Sequence, residues 1–174
     1  MVTAAEIAVR TLLAVVFGTA FFTKVRSRLA YREYATSLAG IGWLRGHVRA
    51  AAVALIPALE ALVATLLIIP VPISWGCAAG AVLLAAFTAV TGRELARGNQ
   101  IRCRCFGASG GQIGPSQIAR NFLLLACATT GLALSLAHGD HASAGARVLA
   151  IGLAALAGML IVRWDDLLTL VRPQ

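Results

Sequence analysis

Acidic side chains are scarce in this chain: its 174 residues include 7 Asp and Glu, and charged residues of both signs make up 13% of the whole. Soluble domains carry about a quarter charged residues, so a soluble enzyme is excluded. Histidine is equally thin, at 3 residues, and with His138 and His141 far from any cysteine pair there are too few ligands for a closed zinc site. No metal centre is expected. Internal repeats and low-complexity tails are absent as well. In their place the chain has apolar residues, 59% of the total with a mean hydropathy of +0.84. They are collected into runs long enough to cross roughly 30 Å of hydrocarbon. Lys and Arg number 15, but they gather between the apolar runs, as membrane orientation requires, so nucleic acid is not needed to explain the net charge.

Five runs qualify as spans, at residues 4–22, 48–69, 73–90, 118–137 and 148–162. Between the second and third stands Pro70-Val71-Pro72, which removes two backbone donors and forbids a continuous helix. The two spans become antiparallel neighbours in a tight hairpin. The fifth run is short, yet Ala150, Ala154 and Gly158 recur at four-residue spacing and give it a smooth packing stripe. The fold expected is all-α and polytopic, a four-helix transmembrane bundle with a fifth transmembrane helix beside it. Residues 1–174 read as a single membrane domain.

An N-terminus placed outside leaves Lys24, Arg26, Arg28, Arg32, Arg45, Arg49, Arg93, Arg97, Arg102, Arg104, Arg120, Arg163 and Arg172 inside, with only Arg10 and Arg147 in or near the outer half. That bias sets the orientation as N-terminus out and C-terminus in, in an inner (plasma) membrane. The first span reads as an uncleaved anchor, because residues 1–9 carry Glu6 and no base. In the first inner loop, residues 24–47, bases mix with Tyr31, Tyr34 and Trp43, as in a short amphipathic piece at the headgroups. Gly98 is placed to cap the third span, after Arg93 and Arg97 in its last turn.

The second inner loop holds the one local motif that could carry chemistry, Cys103-Arg104-Cys105-Phe106-Gly107. Two thiols one residue apart close only a small, strained ring, and strain makes a disulfide easier to exchange. Arg102 and Arg104 flank the pair and favour thiolate, which is both the attacking species in exchange and a soft-metal ligand. Thiol–disulfide chemistry, soft-metal binding and no chemistry at all remain open on these residues alone. Cys77 and Cys127 lie within spans, where a cysteine is usually a small inert hydrophobe; the alternative is an electron relay inward from the loop pair. Glu60 sits near the middle of the second span and should face the bundle, paired or protonated. Arg10, at similar depth in straight helices, is its candidate partner. The alternative has Arg10 reaching outward and Glu60 bonding Thr65 or Thr88.

Several of these residues together resemble a known family. Arg10 in Val9-Arg10-Thr11-Leu12-Leu13, then Phe17, Phe21 and Lys24, then Pro57 and Glu60, then Phe87, Gly92 and Arg93, then Cys103-Arg104-Cys105-Phe106-Gly107 and Arg120-Asn121 resemble the MauE family of DoxX-like membrane proteins, over about residues 5–135. The span at about 146–164 is additional. The resemblance implies a membrane protein that helps form disulfides in, or mature, exported redox proteins. It also implies Cys103 and Cys105 as the redox pair, with Arg10, Lys24 and Glu60 as supporting polar residues, to which the flanking Arg102 and Arg104 are added from the residues themselves. A quinone is the cofactor that the DoxX side of the likeness implies. The partners expected are the lipid bilayer and a thioredoxin-like protein or redox-enzyme subunit. A non-catalytic subunit or assembly factor of a larger membrane complex is the alternative function, and a small-molecule or metal transporter a weaker third. Family expectation puts disulfide formation outside, whereas the charge count puts the cysteine loop on the cytoplasmic side, so the direction of electron flow stays open.

Overall fold

In a computed structural model of the chain, the residues described are 3–98, 115–136 and 143–164. Six helices run through them: α1 (Ala4–Val25), α2 (Arg28–Ala39), α3 (Gly46–Ile68), α4 (Ile73–Ala96), α5 (Pro115–Leu134) and α6 (Ala144–Val162). The described residues contain no strand. All but α2 are long and apolar enough to cross a membrane, and the protein is an all-α polytopic membrane protein. The five apolar runs of the sequence locate these helices, because an unbroken run of that length has no other way to satisfy its backbone in lipid.

Local signals account for the boundaries. Thr3 caps α1 in a reciprocal box: its side chain accepts from the Glu6 N–H at 3.1 Å, and the Glu6 carboxylate accepts from the Thr3 N–H at 2.7 Å. Ser27 caps α2 and Ser143 caps α6 in the same way, each accepting from a backbone N–H three residues on. Between α3 and α4 the two prolines force the turn, with the Val71 N–H donating to Ile69 O at 2.8 Å. Helix α4 runs past the expected end to Ala96, and Gly98 follows with φ of +69°, a left-handed conformation that favours glycine. Pro57 lies inside α3 without ending it, leaving the Val53 carbonyl without its helical donor.

Packing follows one plan. Helices α1, α3, α4 and α5 surround a core of Leu13, Val16, Phe17, Val63, Leu67, Cys77, Leu84, Leu124 and Ala128. Helix α6 lies along α1, where Gly158 lets the backbones approach: a Cβ there would come within 3.1 Å of Val15 and 3.3 Å of Leu12 O. Ala154 and Gly158 of the small-residue stripe are buried in this contact. The remaining face of α6, with Leu149, Leu153, Leu156 and Leu160, is exposed and suits lipid. Helix α2 does not rest on apolar lipid alone. Its Tyr34 and Leu38, with Ile41 and Leu44 of the following loop, pack as a second cluster on Ala52, Val53 and Ile56 of α3 and on Val90 of α4.

The tightest approach in the bundle is at Gly131 of α5, where a Cβ would meet Cys77 Sγ at 2.6 Å and Val9 Cγ1 at 2.7 Å. Gly131→Ala should therefore destabilise the protein by about 1–3 kcal/mol through overpacking. Gly152→Ala, which meets nothing within 4 Å, should stabilise by up to about 1 kcal/mol through helix propensity. Thermal melting of the two variants in detergent checks the contrast.

Candidate functional site

A polar cluster lies buried inside the bundle, between the last turn of α1, the middle of α3 and the first turns of α5. At its centre Lys24 Nζ donates to Glu60 Oε1 at 2.7 Å and Oε2 at 2.9 Å, and to Ala20 O one turn back at 3.1 Å. Both side chains are only 1% exposed. Desolvating two charges is costly, and what offsets the cost here is direct contact plus the extra carbonyl acceptor.

Two other elements close on the pair, and a separate polar contact stands at the last turn of α4. From α2, Tyr34 sets its ring 5.6 Å from the ammonium, while its hydroxyl donates to Ala52 O at 3.3 Å. From α5, Arg120 is 5% exposed and close enough for its charge to act on Lys24. Gln117, Asn121, Leu124 and Ala128 are buried with it, at the spacing of one helical face. The Asn121 Oδ1 is a buried acceptor with no hydrogen-bond partner among the described residues. At the last turn of α4, Glu94 is buried and accepts from Trp43 Nε1 at 3.1 Å, with the Arg93 guanidinium 5.6 Å from the Trp43 ring. This contact ties the α2–α3 loop to the end of α4.

The pairing expected for Glu60 is corrected. Its partner is Lys24, and Arg10 instead donates to Ile69 O at 2.9 Å and Val71 O at 2.6 Å. The reason is a stagger between helices. Helix α2 packs beneath the end of α1, so Lys24 in the last turn of α1 stands level with the middle of α3, and Arg10 stands level with the turn that follows α3. Counting inward from flush helix ends missed that offset. Nor do Thr65 and Thr88 reach Glu60: their hydroxyls donate to Ala61 O and Leu84 O of their own helices. Arg10 thus serves as a side-chain cap for two carbonyls of the turn between α3 and α4.

Cys103, Cys105, Arg102 and Arg104 lie outside the described residues. In sequence they lie between α4 and α5. Cys77 and Cys127 are free thiols. Cys77 packs against Gly131 and Val9 near the opposite end of the bundle. One signal for the Lys24–Glu60 pair was present in the sequence and went unread: of the 15 basic residues 14 are arginine, and the single lysine stands at the end of an apolar run.

Fold and site together define an integral membrane protein of helical-bundle type with a buried Lys24–Glu60 ion pair. A family model described as methylamine utilisation protein MauE matches residues 2–134. The chain belongs to the MauE family, and α6 lies beyond the matched region. No curated protein and no solved structure matches the chain.

Lys24→Met alone should destabilise by about 3–5 kcal/mol, because Glu60 is left as an uncompensated buried charge, whereas Lys24→Met with Glu60→Leu should recover most of that loss. Melting temperatures of the single and double variants in detergent decide it. Tyr34 gives a second expectation. Burial first, then the Glu60 charge and then Tyr31, hold its phenol well above the ordinary value of 10.0. Folded Tyr34 keeps its proton where an unfolded chain would release it. Stability is therefore fully present below about pH 10 and falls as pH rises beyond it. In Tyr34→Phe this alkaline loss should shrink, measured as melting temperature against pH.

Proposed function

We propose that this MauE-family protein is a membrane thiol–disulfide exchange protein, with Cys103 and Cys105 as its redox pair. The observation that carries the reading is a buried Lys24–Glu60 ion pair inside a MauE-family bundle, with Arg120, in the first turns of the helix that follows the cysteine loop in sequence, close enough for its charge to act on Lys24. Intramembrane ionisable groups are costly and mark functional centres by default. The chemistry is an exchange in which a thiolate of one dithiol attacks a sulfur of the other protein's disulfide. A mixed disulfide forms, the second thiol resolves it, and one disulfide is made for the one consumed. Arg102 and Arg104 stabilise the thiolate. The partner is a thioredoxin-like protein or a redox-enzyme subunit whose disulfides mature by this exchange.

The charge bias supports an inner-membrane protein with its N-terminus out, its C-terminus in and the cysteine loop on the cytoplasmic side. A quinone is the cofactor implied by the DoxX-like side of the resemblance. Two hollows among the described residues bear on it. One, about 430 Å³, lies between α1, α3 and α6 beside Arg10 and Ile151. The other, about 690 Å³, lies between α3 and α4 and is lined almost wholly by apolar side chains. Neither is lined by Lys24, Glu60 or Arg120, and Arg10 stands at the other end of the bundle from the cysteine loop. No step is assigned to a quinone.

Replacing Cys103 and Cys105 together by Ser should abolish disulfide exchange in membranes while the partner complex stays assembled. An unchanged exchange rate sinks the redox reading and leaves a structural subunit. Side is tested with a membrane-impermeant maleimide on a variant keeping only these two cysteines. Labelling only after the membrane is opened is the expected result, and labelling from outside after reduction overturns the orientation.

A further inference from the structure

Arg10 has more donors than the turn beside it uses. Both of its hydrogen bonds leave from one nitrogen, Nη2, which donates to Ile69 O at 2.9 Å and to Val71 O at 2.6 Å. Among the described residues the buried Nε has no hydrogen-bond partner, no bond goes to Nη1, and no carboxylate pairs with the guanidinium. Glu6, one turn earlier on α1, has its carboxylate turned to the Thr3 N–H. A guanidinium at the edge of hydrocarbon is costly without a counter-charge, so an anion that completes it is favoured. We propose that Arg10 anchors the headgroup in a specific lipid site, where an anionic phospholipid sets its phosphate on the guanidinium and an acyl chain in the hollow between α1, α3 and α6.

Three observations carry it. The first is the lining. The hollow holds about 430 Å³, within the roughly 300–1,000 Å³ of small-molecule sites. Its walls are Ile7, Ala14 and Val15 of α1, Leu67 and Ile68 of α3, and Ile151 of α6. Arg10 and Thr11 are the only polar side chains on it, and the Thr11 hydroxyl donates to Ile7 O of its own helix. One cation and no acid therefore face an otherwise apolar space. That is the complement of an amphiphile with an anionic head and a hydrocarbon tail.

The second is depth. Arg10 bonds the turn that follows α3, where the chain leaves hydrocarbon, and Ala14 lies one helical turn further in on the same face of α1. Charge stands at headgroup level and the apolar wall runs inward from it, in the order of the parts of a phospholipid. The third is access. Ile68 is 73% and Ile151 47% exposed, so the hollow opens sideways toward lipid. A dissolved phosphate would have to shed its water for a single cation beside apolar walls, whereas a phospholipid already lies at this depth with its chain in place. The planar donor set of a guanidinium also matches phosphate oxygens better than a point charge does. One wall belongs to α6, beyond the family match, so the site depends on a helix that this chain has in addition.

Full-length protein in phosphatidylcholine nanodiscs is given a trace of phosphatidylglycerol with a diazirine on one acyl chain, irradiated, and its adducts mapped by peptide mass spectrometry. Adducts are expected on residues 7–15, 67–68 and 151, at least about tenfold more than from phosphatidylcholine with the same label. Excess unlabelled phosphatidylglycerol should suppress them, and excess inorganic phosphate or decylubiquinone should not. Arg10→Gln should cut them about tenfold. Because Arg10 also holds the turn, Ala14→Phe is the second variant: its ring fills the inner part of the hollow, leaves the guanidinium in place and should cut the adducts as far. Arg28→Gln with Arg32→Gln, at exposed positions of α2, should leave them unchanged, which separates the site from general attraction of anionic lipid to basic residues. Equal labelling by the two lipids overturns the proposal, as does suppression by inorganic phosphate or by decylubiquinone. Adducts that survive Ala14→Phe, or that fall with the α2 pair, overturn it as well.

Discussion

An ion pair in the middle of a membrane protein constrains everything packed around it. Lys24 and Glu60 cannot be wetted without opening the bundle, and neither can stand alone in hydrocarbon without a penalty of several kcal/mol. Their contact therefore fixes α1 against α3 in both height and rotation. Once Lys24 must stand level with Glu60, α1 ends well short of where α3 begins, and a gap opens beneath it. Helix α2 fills that gap with Tyr34 and Leu38. At the far end the same offset brings Arg10 level with the Pro70-Val71-Pro72 turn, where its guanidinium meets the exposed carbonyls. One stagger thus explains three features that have no connection in the sequence: a short helix seated on the bundle by Tyr34 and Leu38, an arginine inside an apolar run, and a proline turn that holds its shape.

The five spans could be located from sequence because they depend on a coarse quantity, apolar length, against which few other signals compete. Their edges were less legible: the proline turn and Gly98 were read, whereas the caps at Thr3, Ser27 and Ser143 act on single neighbours and were not, and α4 runs past its expected end to Ala96. The pairing of Glu60 was not. Depth counted from helix ends assumes ends that lie flush, and the stagger is set by tertiary packing of Tyr34, Leu38, Ile41 and Leu44. Those residues recur at intervals of three and four, which marks a helix and its exit burying one face on protein. The lone lysine was a second available signal. Gln117 and Glu94 carried no signal of their own, because a polar residue at the edge of a span looks the same in sequence whether it faces water or the bundle.

Helix α6 lies outside the family match but bears on the site through α1. Its buried stripe meets α1 at Leu12 and Val15, between Arg10 and Lys24. It thereby stiffens the helix that holds both polar contacts, from the side that would otherwise be lipid.

The two stems of the cysteine loop are held by different means than the spans. Apolar packing against lipid-facing helices tolerates sliding, since one leucine contact replaces another at little cost. Directional contacts do not. The Trp43 N–H on Glu94 fixes the last turn of α4, and the buried Arg120 face fixes the first turns of α5.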